Sequence, residues 1–233
     1  MAADHRGDRH AGCASDTGAT LTSAPSFDED FCERLRQLLI WRRDVRRFRS
    51  DPLPEGTLER LIEAACLAPS VGLSQPWRFV ILDDLSCRAA IRRNFETCNL
   101  EALADQSSER AAHYARLKLA GIDTAPAHLA IFADRTSTQG HGLGRYTMPE
   151  MTEYSVVAAV HTLWLVARAE GIGMGWVSIL DPRAVADTLH VPPHWKLIGY
   201  FCLGYPEADD DTPALERVGW EHRRLASLSI IRR

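Results

Sequence analysis

The chain has 233 residues, of which 45% are hydrophobic and 25% are charged, and its formal net charge is −4. This composition is typical of one globular domain with a sizeable core, and the acidic balance argues against a general nucleic-acid binder. No apolar run approaches the roughly 20 residues that span a bilayer, and the N-terminus lacks the pattern of a signal peptide. We therefore expect a cytoplasmic protein that binds neither nucleic acid nor a membrane.

The order of apolar and polar segments predicts a leader followed by one domain. Residues 1–25 are rich in small and polar residues without an apolar period, and we expect a disordered leader there. The domain spans residues 26–233. Ser26 and Glu29 have the spacing of a capping box, which predicts a helix that runs into the cluster WRRDVRRF.

Further along the chain, helical and strand patterns alternate. Apolar periodicity and Pro or Gly boundaries predict helices at 54–68, 85–120, 150–170 and 182–189, and strands at 77–82, 127–133, 175–180 and 196–203. A glycine-containing loop covers 134–149, and an acidic run at 207–211 is expected to be a solvated connection. Strands that come late and are separated by helices favour an α+β fold. The six cysteines form no CxxC pair and the histidines show no metal-ligand spacing, so we expect no metal.

Five arginines lie close together where the first helix ends, and Asp44 stands among them. The planar fork of arginine suits phosphate, although cations at this place can also simply complement the helix C-terminus. A carboxylate among arginines is most often a local salt bridge, and the alternative is a general base or proton relay beside a bound anion.

Two further segments carry polar groups in turns. Ser70, Gly72 and Gln75 lie in APSVGLSQPW, which suits either a structured turn or close approach of a ligand. The segment GIGMGWVSILDP has alternating glycines, but the order is helix, turn and strand, whereas a dinucleotide fingerprint needs strand, turn and helix. Ser178 lies on this strand, where a lone serine is usually structural.

Together these segments resemble the flavin-dependent nitroreductase superfamily. Within it the resemblance is greatest to the enzymes that fragment flavin to 5,6-dimethylbenzimidazole, and it covers residues 27–225. The ordered set of motifs carries it: RRDVR (42–46), SVGLSQPW (70–77), RLKLAGIDTAP (116–126), GRYTMPEM (144–151) and GWVSILDP (175–182).

The resemblance implies an α+β, nitroreductase-like three-layer sandwich, with a central mixed but mainly antiparallel sheet flanked by helices and a helical lid. It also implies a homodimer with flavin mononucleotide (FMN) at the interface. The FMN-binding residues would be Arg42, Arg43, Asp44, Val45, Arg46, Ser70, Gly72, Gln75, Lys118, Leu119, Ser178 and Arg223. Lys118 and Leu119 would belong to the lid, and Arg223 would reach the phosphate.

Two residues indicate the subtype. Nitroreductases that resemble this chain usually carry Ser or Thr at the Asp44 position, whereas the fragmenting enzymes carry Asp there and a serine at the Ser178 position. The resemblance thus implies Asp44 and Ser178 as catalytic residues, reduced FMN as substrate and dioxygen as co-substrate. The products would be 5,6-dimethylbenzimidazole, the lower ligand of cobalamin, and erythrose 4-phosphate, with a separate NAD(P)H-dependent flavin reductase supplying reduced FMN.

Other functions are compatible with the same fold. An NAD(P)H-dependent nitroreductase or flavin reductase, or a corrinoid reductase, would share the fold and retain FMN as a recycling cofactor. A non-catalytic protein that binds or sequesters FMN is a further alternative. Composition and charge do not separate these functions, and only the motifs favour the fragmentation of FMN over the alternatives.

Overall fold

The computed structural model describes residues 24–104, 121–224 and 230–233. The helices are α1 (Glu29–Trp41), α2 (Thr57–Ala65), α3 (Leu85–Ala104), α4 (Gly121–Thr124), α5 (Met151–Ala169), α6 (Pro182–Thr188) and α7 (Ala214–Arg217). The strands are β1 (Trp77–Ile81), β2 (Ala127–Asp134), β3 (Gly173–Val177) and β4 (Trp195–Gly204), and short 3-10 turns cover Val71–Leu73 and Leu143–Arg145. Within the described ranges, no helix combines the length and the apolar character needed to cross a membrane.

The four strands form one sheet in the order β1-β2-β4-β3, and each neighbouring pair is antiparallel. Because β3 is an edge strand, its outer side is free to pair with another segment. An isolated parallel bridge joins Asp44 to Met174 at this edge. The sheet is therefore antiparallel with one parallel contact, which matches the predicted mixed but mainly antiparallel arrangement.

Side chains from alternate positions of the strands pack into two cores, one on each face of the sheet. Leu129 and Ile131 point to the core made with α2 and α5, whereas Ala130 and Phe132 point to the core made with α3 and α6. Every residue of β2 is buried. Helices thus cover both faces, and the predicted α+β three-layer sandwich is confirmed.

Helix α1 begins differently from the prediction. Asp28, not Ser26, is the N-cap, and its carboxylate accepts a hydrogen bond of 2.8 Å from the Phe31 N–H. No residue of α1 is buried, and most of its apolar side chains are more than a third exposed. The exposed apolar side chains on or just before this helix are Phe27, Phe31, Leu35, Leu39, Ile40 and Trp41.

A buried histidine and tyrosine lie side by side in the core beneath α3. His128 Nδ1 is 2.7 Å from the Tyr200 hydroxyl, and Nε2 is 3.2 Å from the carbonyl oxygen of Ala125. Because a carbonyl only accepts, Nε2 carries the proton and Nδ1 accepts from Tyr200. Burial, and then the positive charge of Arg88, lower the pKa of His128 to about 4. His128 is therefore neutral at pH 7.

This histidine is expected to make the fold acid-labile. Its pKa is lower in the folded chain than the ordinary 6.5, so its contribution to stability is present above pH 6.5 and is lost as the pH falls towards 4. The pKa difference corresponds to about 3 kcal/mol. Urea unfolding at pH 7 and pH 4.5 should show that His128→Gln loses less stability on acidification than the original chain. An equal loss in both would assign the acid sensitivity to other groups.

Candidate functional site

The segment after α1 lies along the free edge of β3. The Val45 N–H donates a 3.0 Å hydrogen bond to the Met174 carbonyl, next to the Asp44–Met174 bridge. The Trp176 N–H donates to Asp44 Oδ1 over 2.9 Å, and Arg46 Nε lies 3.4 Å from Asp44 Oδ2. The edge strand therefore fixes one oxygen of the carboxylate, and an arginine adjoins the other.

Trp164 of α5 holds the same segment from a second side. Its indole N–H donates a 3.1 Å hydrogen bond to the Arg43 carbonyl, and the Arg42 guanidinium lies 4.8 Å from the centre of its ring. In the sequence, Trp164 is one apolar residue of the helix predicted at 150–170. Its contact with the arginines joins positions about 120 residues apart, and no local signal in the sequence marks such a contact.

Among the described residues, two cavities adjoin the arginine cluster, and Arg43, Asp44 and Arg46 border both. The smaller cavity, of about 160 Å³, is lined by Arg42, Arg43, Asp44, Arg46, Pro213, Ala214, Leu215 and Arg223. Four arginines and one carboxylate thus surround it, which leaves an excess of positive charge. We call this cavity the arginine cradle.

Like charges meet in the arginine cradle. Burial, and then the neighbouring guanidinium of Arg223, lower the pKa of Arg43. Burial also lowers the pKa of Arg42, against the attraction of Asp44 and with a further contribution from Arg223. Arginine stays protonated despite such shifts, so the cradle is suited to a group with more than one negative charge. A phosphate monoester is such a group, and the residues present therefore fit the phosphate of FMN.

The environment of Asp44 favours its protonated form more than water does. Burial raises the pKa of this carboxyl above the ordinary value, although the Trp176 N–H and Arg46 favour the charged form. A raised pKa makes a carboxylate a better proton acceptor than an ordinary aspartate. The contacts include the predicted local salt bridge, to Arg46, and the proton-relay role of Asp44 stays a prediction.

The larger cavity, of about 420 Å³, is bordered by the acidic run, which is a mostly exposed connection, as predicted, and also pairs with arginines. Arg168 pairs with Asp209, and Arg217 Nη1 lies 2.5 Å from Asp210 Oδ2. Arg43 also donates to the main-chain oxygen of Asp211. These ion pairs form because arginines from α5, α7 and the cluster converge on the run.

The turn that follows α2 forms a separate group. Ser70 Oγ accepts from the Gln75 N–H over 3.1 Å, and Gln75 adopts a positive φ of 43°. A Cβ on Gly72 would lie 2.9 Å from the main-chain oxygen of Gly140, so this turn packs directly on the 134–149 loop. Neither Ser70, Gly72 nor Gln75 lines the two cavities described above.

The remaining predicted site residues fall in three places. Arg223 lines the arginine cradle. Ser178 is exposed and follows β3 by one residue, two positions beyond the Trp176 N–H that binds Asp44. Lys118 and Leu119 lie outside the described residues, as does part of the predicted lid. Among the residues that are described, no three His, Cys, Asp or Glu side chains gather as a metal site would need.

Comparison with known proteins places this site in a family. Residues 39–205 match the Nitroreductase family, and this range holds β1 to β4 and all of the cluster after α1. The chain belongs to the nitroreductase family. This nitroreductase-family chain is 53% identical over 204 residues to 5,6-dimethylbenzimidazole synthase of Rhodospirillum rubrum, covering 88% of its own length and 97% of the relative. It is 46% identical to the enzyme of the same name from Rhodobacter capsulatus, covering 84% and 95%.

Solved structures of the nitroreductase family share the fold at lower identity. A nitroreductase-like protein from Streptococcus mutans has a TM-score of 0.65 and 18% identity, with 86% of this chain and 98% of that chain covered. An iodotyrosine deiodinase bound to FMN and 3-iodo-L-tyrosine has a TM-score of 0.64 and 24% identity, with 76% and 91% covered. The nitroreductase family match confirms the resemblance predicted from the motifs. The two relatives named as 5,6-dimethylbenzimidazole synthase confirm it for that branch of the family.

Proposed function

We propose that the protein uses reduced FMN and dioxygen to form 5,6-dimethylbenzimidazole and erythrose 4-phosphate, and so supplies the lower ligand of cobalamin. The observation that carries this proposal is the position of Asp44, whose carboxylate is fixed on the β3 edge beside the arginine cradle. The two relatives named as 5,6-dimethylbenzimidazole synthase support the same reaction. In this proposal FMN is consumed, in contrast to a nitroreductase that recycles it.

The arginine cradle would hold the FMN phosphate. Arg42, Arg43, Arg46 and Arg223 can donate charge-assisted hydrogen bonds, which are the strong ones in phosphate recognition. When bound, reduced FMN would supply the electrons and the carbon skeleton of the product. Val45 would support the binding segment through its hydrogen bond to β3.

Asp44 would hold and move a proton at Oδ2. Oδ1 accepts from the Trp176 N–H, which orients the carboxylate, so the exchanging oxygen would be Oδ2, which lies beside Arg46. Ser178 emerges from the same strand and would orient groups or relay protons during later bond cleavage. Lys118 and Leu119 would belong to a lid that excludes water from the reacting centre.

A homodimer would complete the site. The apolar stripe of α1 is exposed, and Ser70, Gly72 and Gln75 lie apart from the cradle within one chain. A second copy that covers α1 would bring another set of these turn residues to the assembly. Reduced FMN would come from a separate NAD(P)H-dependent flavin reductase.

A product assay by mass spectrometry tests the proposed reaction. Purified protein is supplied with FMN, a separate flavin reductase, NADH and air, and an anaerobic sample serves as the control. We expect 5,6-dimethylbenzimidazole to form in air with loss of total flavin. Full recovery of oxidised FMN without this product would instead favour a nitroreductase, a corrinoid reductase or a flavin-binding protein.

Replacing Ser178 tests its role in the same assay. Ser178→Ala removes an exposed hydroxyl, so the fold should be unaffected, and loss of one hydrogen bond to a charged group should slow product formation by about 10- to 100-fold. Ser178→Thr keeps the hydroxyl and should retain most of the rate. Equal rates for all three proteins would leave Ser178 without a role in the reaction.

A further inference from the structure

Two glycines on β3 lie directly beneath the segment that carries Asp44. A Cβ on Gly175 would lie 2.2 Å from the Val45 carbonyl oxygen, and a Cβ on Gly173 would lie 2.8 Å from Val45 Cγ2. Both distances are shorter than the 3.0 Å that a real Cβ keeps from its neighbours. The Asp44–Val45 segment can therefore lie this close to β3 only because both positions lack a side chain.

This close approach decides which group accepts the hydrogen bond of the Trp176 N–H. In a parallel pairing that continued past the Asp44–Met174 bridge, a main-chain carbonyl would accept from the next strand N–H. Here Asp44 Oδ1 accepts from Trp176 over 2.9 Å, and the Val45 carbonyl lies over Gly175 instead. The carboxylate oxygen thus replaces the main-chain carbonyl that would accept this hydrogen bond in a continued parallel pairing.

We propose that Gly175 and Gly173 are positioning residues for Asp44, because their lack of side chains seats Val45 on the strand edge and leaves the Trp176 N–H to the carboxylate. This inference rests on the proposed function, in which Asp44 exchanges protons. Glycine inside a strand lowers stability through the entropy of the unfolded chain and provides no side chain to pack. The close contact of Val45 with β3 explains why this five-residue strand contains two glycines.

The Gly175→Ala variant tests the inference most directly. The added methyl must displace the main chain at Val45 by roughly an ångström, and a misplacement of this size can lower a rate about 100-fold. We expect kcat for product formation at saturating FMN to fall by about that factor, because Asp44 moves with the displaced main chain of Val45. A carboxyl titration by 13C NMR should also show a higher pKa for Asp44, since the lost hydrogen bond favours the charged form.

Gly171→Ala is the matched control. Gly171 lies two residues before Gly173, has a φ of 75° and has nothing within 4 Å of an added Cβ. Alanine there introduces backbone strain without a clash against Val45. Its kcat and the pKa of Asp44 should match those of the original chain, which separates loss of stability from misplacement of the carboxylate.

A rescue experiment distinguishes the two glycines. In Gly173→Ala the obstacle is the Val45 side chain, so adding Val45→Ala should restore kcat and the Asp44 pKa to the values of Val45→Ala alone. In Gly175→Ala the obstacle is the Val45 carbonyl, and the same second substitution should restore nothing. If Gly175→Ala does not fold, Gly173→Ala with and without Val45→Ala still tests whether the glycines position Asp44.

Failure of the inference differs from failure of the proposed reaction. If the original chain forms no 5,6-dimethylbenzimidazole, the reaction is wrong, but the carboxyl titration still tests the positioning of Asp44. If Gly175→Ala and Gly173→Ala leave the pKa of Asp44 and kcat unchanged, the two glycines do not position the carboxylate and the inference is overturned.

Discussion

An Asp44→Asn variant is expected to bind FMN and to form product about 10²- to 10⁴-fold more slowly, which is the range that a positioned proton-transfer group contributes. The amide has nearly the same shape, so it can still accept from the Trp176 N–H that binds Oδ1 in the original chain. It cannot hold or release a proton at the other position. Product formation by mass spectrometry and FMN affinity by fluorescence, measured on the same sample, separate these two effects.

The pH profile adds a second readout for Asp44. Burial raises the pKa of its carboxyl, so the limb of the rate profile that reports this group should lie above the ordinary value of aspartate. That limb should be absent from any residual activity of Asp44→Asn. A variant that formed product at the normal rate would return Asp44 to the role of a salt-bridge partner of Arg46.

Replacing Arg42 by Ala should weaken FMN binding by about 10- to 100-fold, which corresponds to one charge-assisted hydrogen bond of about 1.5–3 kcal/mol. Arg42 lines the arginine cradle and stacks on Trp164, so the substitution removes both a phosphate donor and a support of the segment. Arg42→Lys keeps the charge but loses the planar fork, and its affinity should lie between the two.

Arg92→Ala is the control for net charge. Arg92 lies on α3, where it pairs with Glu96 and Asp123 and lines neither cavity beside Asp44. Its substitution should leave FMN affinity unchanged. Titrations at several salt concentrations should give a shallower dependence for Arg42→Ala than for the original chain, because one phosphate contact is missing. Equal affinities of Arg42→Ala and the original chain would exclude the cradle as the phosphate site.

Local patterns in the sequence were sufficient for most of the secondary structure. The strand predicted at 127–133 is β2 with one residue added, and the apolar pattern of 150–170 gives the buried face of α5. These features follow from side-chain periodicity, which is a property of neighbouring residues. The arginine cluster and Asp44 were also found locally, and the ordered motifs supplied the family.

Contacts between distant segments could not be predicted in this way. The capping box at Ser26 was wrong because Asp28 offers a competing cap two residues later. The strand predicted at 175–180 begins at Gly173 because pairing with Gly204 of β4 extends it. The support of Arg43 by Trp164 and the pairing of the acidic run with arginines depend on tertiary packing alone.

If a second copy covers the exposed apolar side chains of α1, ligand binding will depend on protein concentration. A helix of 13 residues is marginal in water by itself, and α1 buries none of its residues in the chain described here. Arg42 follows its last residue, so a helix that is held in place restrains this phosphate donor in addition to its contact with Trp164. If a second copy covers α1, dilution that separates the copies also loosens the first residue of the cradle. Self-association and FMN affinity are then thermodynamically linked, and each strengthens the other.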